Sequence, residues 1–243
     1  MVHFKLEAWS AMASGLGSEE DWSAWFSAPS IPDEPIGKEA LKQIPAMLRR
    51  RFKQSGKCAL GAALPILKEG EMIPSIFSSR HGDIEQTLAL LEGIGRDEPM
   101  SPTGFSLAVH NAISGLFSIV RKDMSEVTTI AASKGLIFQS LFEAIGQLQV
   151  SKRVLCVIYD IPLPQPYSIS TESDPFPFAL AMILNGAAGD PYNLQPCEQS
   201  LTDQTSLTGD LNTEALRFIE LLTGKTSSMT SSLSGGNWRL VQG

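Results

Sequence analysis

The stretch from residue 127 to 159 constrains the fold more than any other part of the chain. Val127-Thr128-Thr129-Ile130-Ala131 is rich in β-branched residues and reads as a strand. Residues 133–149 follow at once, with Leu136, Phe138, Leu141, Phe142, Ile145 and Leu148 on one broad apolar face at helical spacing. Residues 153–159 are a short apolar run and read as a second, buried strand. A strand, a helix and a strand in this length have the dimensions of a parallel crossover.

The rest of the chain alternates strands and helices in the same way, which supports an α/β fold. Residues 2–9 read as a first strand. Ser18 with Asp21 marks a helix start, and Trp22, Trp25 and Phe26 then form an apolar face for packing. Pro29, Pro32 and Pro35 mark a loop. Residues 36–52 predict an amphipathic helix interrupted by Pro45, and 57–67 a more apolar one that Pro65 shortens or kinks. In the second helix Ala59, Gly61, Ala62 and Ala63 permit close packing on a sheet. Residues 72–78 predict a strand, and Asp83 with Gln86 matches a capping box before Leu88, Leu90 and Leu91.

Beyond the central unit, 160–177 is rich in proline and serine, 178–184 predicts a strand, and 185–210 reads as a long loop. Asn212 is placed to cap a last helix over Leu216, Ile219 and Leu222 that ends at Gly224. Residues 226–236 are polar and expected to be mobile, and 238–241 would close the chain as an edge strand. No internal repeat is visible, so 1–243 is read as a single domain.

Composition narrows the function classes. The formal net charge of -7 disfavours nucleic acid as a partner, because phosphate binding needs a positive field. The basic cluster Arg49, Arg50, Arg51 and Lys53 reads as the solvated end of a helix. No apolar run is long enough to span a bilayer, and residues 1–9 lack the pattern of a secretory signal. Cys58, Cys156 and Cys197 are far apart, with no spacing of a zinc knuckle or redox motif. Cys156 lies inside an apolar run and reads as a core thiol. A reducing, cytoplasmic compartment is expected, with no metal or cofactor.

Chemistry in open α/β sheets sits where a strand ends and a helix begins. Here that turn is Ile130-Ala131-Ala132-Ser133-Lys134-Gly135. Ser133 is a candidate nucleophile, with His110 as its possible base, for a free-standing acyl hydrolase or acyltransferase. The serine elbow lacks its first glycine, however, and a helix N-cap explains the same residue. His110 itself is expected in packing or interface hydrogen bonding.

Upstream lie Ser101-Pro102-Thr103-Gly104-Phe105 and Val109-His110-Asn111, and downstream 154–160 followed by Pro162-Leu163-Pro164. In this order and spacing the motifs resemble the β-ketoacyl synthase-like N-terminal domain family, over roughly residues 36–185. The resemblance implies a thiolase-like (ketosynthase) half, a mixed sheet with flanking helices. It also places Ala131 where ketosynthases carry the nucleophilic cysteine. A methyl group forms no thioester. His3, His81 and His110 lack the context of the family's catalytic histidines.

The resemblance therefore implies no catalytic residue, and a chain-length factor beside a full-length β-ketoacyl synthase in type II polyketide, aryl polyene or fatty-acid-like biosynthesis. An acyl carrier protein would act through the complex. Gly104 and Ala108 match channel-lining positions, although a positive φ at Gly104 and helix packing at Ala108 explain them equally well. Phe105, His110, Asn111, Phe117, Val127, Thr129 and Ala131 are the expected heterodimer contacts.

Overall fold

The computed structural model describes residues 1–32, 35–36, 41–169, 171, 173–198 and 205–243. Strands β1 (Val2–Ala13), β2 (Ser75–Ser78), β3 (Val127–Ile130), β4 (Arg153–Asp160), β5 (Phe178–Asn185), β6 (Asp190–Cys197), β7 (Ser228–Leu233) and β8 (Gly236–Gln242) form one sheet. Their order is β3-β2-β4-β5-β1-β6-β8-β7. β2 runs parallel to both β3 and β4, and the remaining pairs are antiparallel. The helices are α1 (Glu19–Trp25), α2 (Ala46–Arg49), α3 (Gln54–Ala63), α4 (Ile84–Gly95), α5 (Pro102–Ser106), α6 (Ala112–Arg121), α7 (Leu136–Gln147) and α8 (Glu214–Leu222).

The expected crossover is present: β3 and β4 flank β2, joined through α7. β4 and β5 are buried at nearly every position because helices cover both faces. Side chains alternate along β4. Val154, Cys156 and Ile158 pack with Phe138, Leu141 of α7, Phe218 of α8 and Trp22 of α1. Leu155, Val157 and Tyr159 pack with Ala59, Leu60 and Ala63 of α3 and Phe117 of α6. The small residues of α3 are buried, as close packing on the sheet requires. At the far end β8 and β7 return toward α7: the Trp238 ring meets Phe142 edge-on at 4.7 Å, and Leu233 lies against Gly135.

Several local expectations change. At α1 Ser18 Oγ accepts from Asp21 N at 3.1 Å and Asp21 Oδ2 accepts from Ser18 N at 2.9 Å, a complete capping box with aspartate in place of glutamate. At α4 the box is half made: Asp83 accepts from Gln86 N, whereas the Gln86 amide donates to Gly104 O at 3.1 Å and ties α4 to α5. Within the described part of 36–52 only α2 is an α-helix. Pro45 is its N-cap, a position where the missing N–H costs nothing.

α7 begins at Leu136 with Gly135 as N-cap, so Ser133 is not a cap. Thr213, not Asn212, caps α8 through a 3.3 Å bond from Leu216 N. The loop expected over 185–210 contains β6. The stretch 226–236, expected to be mobile, carries β7, which pairs with β8 through six residues and buries Met229 and Thr230. β8 is consequently an interior strand, and β7 takes the edge expected for 238–241.

Candidate functional site

The turn from β3 into α7 sits at the edge of a cavity of about 900 Å3. Its walls are the start of α7, the ends of β4 and β5, the N-terminus of α8 and part of β7. Ala131 and Ser133 are exposed on this turn. Gly135 has φ 65°, the left-handed region, and an added Cβ would stand 1.9 Å from Leu233 Cδ2. The backbone conformation favours glycine there, and the Leu233 side chain fills the space a Cβ would take.

The first turn of α7 carries the positive end of the helix dipole, and Glu214 of α8 occupies it. Glu214 Oε2 accepts from Ile137 N at 3.1 Å, and Oε1 accepts from Ser231 Oγ. Burial pushes the Glu214 carboxyl up from its ordinary value, against the hydrogen bonds from Ser231 and Ile137. The helix end that would stabilise an acyl oxyanion thus faces a carboxylate of the same chain.

A second ionic cluster lies at the strand ends on the cavity wall. Asp160, the last residue of β4, accepts from Ser79 Oγ at 2.8 Å and from Arg80 N and Nε. Arg80 Nη2 also donates to Asp174. Asp160 is pushed up to about 6, first by burial and then by the Asp174 charge, with Arg80 and the hydrogen bonds pulling the other way. Arg80 and Asp174 escaped sequence reasoning. Asp160 gave a usable signal, an acid closing a buried strand at the sheet's C-terminal edge.

Ser133 and His110 do not form a pair. His110 Nε2 donates to Ser79 O at 2.9 Å and its ring packs on Gly82, away from the cavity that Ser133 lines. No hydrogen bond joins Ser133 to a base among the described residues. The Cys58 and Cys156 thiols are buried and pushed up to about 12 by desolvation, so they are unreactive core groups.

The expected contact residues separate. Phe105 is 59% exposed, Asn111 is exposed, and His110, Val127 and Thr129 are half-buried. Phe117 is a correction: it is 1% exposed, its ring 5.0 Å from Phe77, and belongs to the core beneath α6. Leu91 and Ile94 of α4, with Met100, Phe105, Val109, Ile119 and Met124, form the exposed apolar surface around α4, α5 and α6. No residue of α4 is buried, although the helix is largely apolar. β3 pairs on one side only.

Gly104 and Ala108 are both half-buried and outside the cavity. Gly104 has no positive φ. Its α-carbon faces Gln86 and Leu90 of α4, where a Cβ would meet Gln86 Nε2 at 3.2 Å. Arg49, Arg50 and Lys57 line a separate basic concavity of about 380 Å3 with Leu41 and Phe52.

A mixed eight-stranded sheet with helices on both faces, and a strand-to-helix turn at its C-terminal edge, defines one half of the thiolase-like fold. Residues 22–239 match the family model described as "Beta-ketoacyl synthase, N-terminal domain", and the chain belongs to that family. A chain of the structure of the ketosynthase (ApeO) in complex with its chain length factor (ApeC) from Xenorhabdus doucetiae is similar over 100% of both chains, with TM-score 0.79 and 26% identity. The ishigamide ketosynthase/chain length factor gives TM-score 0.60 and 13% identity over 81% of this chain and 68% of that one. A β-ketoacyl synthase from Burkholderia phymatum STM815 gives 0.59 and 8% over 93% and 71%. Among curated proteins there is no match.

Proposed function

We propose that this chain is the non-catalytic chain-length factor of a heterodimer with an active, full-length β-ketoacyl synthase. The observation that carries the proposal is the set of exposed apolar side chains on and around α4, α5 and α6. Large exposed apolar surfaces commonly mark sites of protein–protein contact. Likeness to a chain of a solved ketosynthase and chain-length-factor complex supports the same reading.

In this arrangement the partner supplies the cysteine, the histidines and the decarboxylation. This subunit supplies wall and floor to the acyl channel and so limits product length. Ala131 at the turn, and Glu214 on the start of α7, support the absence of covalent chemistry here. We place the complex in the cytoplasm, in a type II polyketide, aryl polyene or fatty-acid-like pathway, with an acyl carrier protein delivering the growing chain. The three free cysteines suit a reducing compartment.

Co-expression with a full-length β-ketoacyl synthase from the same organism tests the reading. The two chains should co-purify as a heterodimer, and intact-mass analysis after acyl loading should find the adduct on the partner alone. A thioester on this chain would overturn the proposal. Ala131→Cys should not restore turnover, because His3, His81 and His110 do not stand where the family's catalytic histidines do.

A further inference from the structure

Three cations converge on the concavity of about 380 Å3 between α2 and α3. Arg49 and Arg50 come from the end of α2, and Lys57 from the first half of α3. Arg50 is exposed, and Arg49 and Lys57 are half-buried, so solvent reaches all three. The helix-end reading of this basic cluster does not account for them. α2 is only four residues long, and so few aligned peptides leave little negative pole to complement.

Charge makes the grouping costly. Like charges on one wall repel unless a counter-charge lies among them. The chain has 26 acidic residues against 19 lysines and arginines, so carboxylate partners are plentiful. Arg80, Arg96 and Arg153 each hold two of them. Among the described residues no ion pair engages Arg49, Arg50 or Lys57. Lys53 acts on Asp83 and Glu85 and is not on the wall, and Glu85 meets Lys57 only through its field. The other residues on the described wall are Leu41, Ala46 and Phe52, none of them acidic.

The donors select the class of anion that would fill the gap. Two guanidinium forks and one ammonium point donor exceed what a single carboxylate can accept. A phosphate monoester carries about two charges above its second pKa of about 6, and three free acceptor oxygens. The concavity lies toward the small end of small-molecule sites, enough for the phosphate and a short stem.

We propose that this concavity binds a phosphate monoester through Arg49, Arg50 and Lys57. The site is independent of the chain-length reading and lies apart from the cavity at the start of α7.

Isothermal titration calorimetry of the purified full chain at about pH 8 tests it, where phenyl phosphate is a dianion. Benzoate at equal ionic strength is the singly charged comparison. Phenyl phosphate should bind saturably at one site, and benzoate at least about tenfold more weakly. Combined Arg49→Ala and Arg50→Ala should weaken phenyl phosphate by at least about tenfold, whereas Lys134→Ala, on the wall of the other cavity, should leave it unchanged. Lys57→Met keeps the apolar stem without the charge and carries the test if the double variant does not fold. Flotation with vesicles containing phosphatidic acid separates two carriers of the group. Capture that is lost in the double variant puts the phosphate on a lipid, and no capture beside intact phenyl phosphate binding puts it on a soluble ester. No saturable binding by the wild type, equal affinity for benzoate, or unchanged affinity in the arginine and Lys57 variants overturns the proposal. Loss of binding in Lys134→Ala alone also overturns it, by moving the anion to the other cavity.

Discussion

Glu214 Oε2 accepts a 3.1 Å hydrogen bond from the backbone N–H of Ile137, in the first turn of α7. A helix N-terminus is a ready anion site, and here the anion is a side chain from the last helix of the same fold. The contact therefore gives the Ile137 N–H an acceptor from within the chain. It also fastens α8 and β7 to α7, since Ser231 donates to the same carboxylate.

Glu214→Ala should destabilise the fold by about 1–3 kcal/mol, because the buried Ile137 N–H and the half-buried Ser231 hydroxyl lose their acceptor. Glu214→Gln, which keeps one amide oxygen to accept with, should lose less. Urea denaturation of the three proteins measures both differences. Wild-type stability in Glu214→Ala would show that the helix end needs no internal anion.

Asp160 makes a pH prediction with a definite sign. Its folded value of about 6 lies above the ordinary 3.8, so the folded state holds the proton across that window. Stability from this residue is therefore gained as pH falls from about 6 toward 3.8, and lost as pH rises through the same range. Relative to Asp160→Asn, the wild type should gain on the order of 2–3 kcal/mol between pH 7 and 4. Glu7 acts in the opposite sense, held below its ordinary value by the hydrogen bond from Arg153, but it is common to both proteins and cancels. Parallel stability profiles for the two would contradict the assignment.

Surface and core aromatics should separate cleanly. Ile94→Asp and Phe105→Asp alter side chains that are 52% and 59% exposed, so the fold should keep its unfolding midpoint while pairing with the ketosynthase weakens. Phe117→Ala should instead cost about 3–5 kcal/mol of fold stability, because the ring fills the core against Phe77. Gel filtration of the co-expressed pair and denaturation of the single chain read the two effects. Retention of the heterodimer by Ile94→Asp and Phe105→Asp would place the partner elsewhere.

The two phenylalanines also show what sequence can and cannot supply. Both lie in one mixed stretch, and the choice of which turns inward is made by Phe77 and α3, far along the chain. The β3, α7 and β4 unit was legible because each element has its own period and burial pattern. β6 was not, since Pro191, Pro196 and a mostly exposed face hide a strand that exists through its pairing with β1 and β8. β7 was hidden by serines and threonine, and only its partner β8 makes it a strand. At the site, the strand-to-helix turn between β3 and α7 was readable from its two periods. The Arg80, Asp160 and Asp174 cluster was not, because the fold gathers it across separations of 80 and 94 residues.

Length control is the remaining expectation, and the geometry now distinguishes its two positions. Gly104 faces α4, where a Cβ already crowds the Gln86 amide at 3.2 Å and a phenyl ring would meet Gln86 and Leu90. Gly104→Phe should therefore disturb the α4–α5 contact, including the Gln86 bond to Gly104 O, and weaken assembly. Ala108 is half-buried beside exposed Phe105 and Val109, on the surface proposed to meet the ketosynthase. If Ala108 lines the channel, its small side chain leaves room for a long or rigid chain. Ala108→Phe should then shorten the product while the heterodimer and initial acyl loading persist, because overlap with the growing chain costs steeply whereas each added methylene gains only about 0.8 kcal/mol on burial. Mass spectrometry of carrier-bound intermediates reads the length, and gel filtration checks assembly. Unchanged length in an intact Ala108→Phe heterodimer would remove this position from the channel.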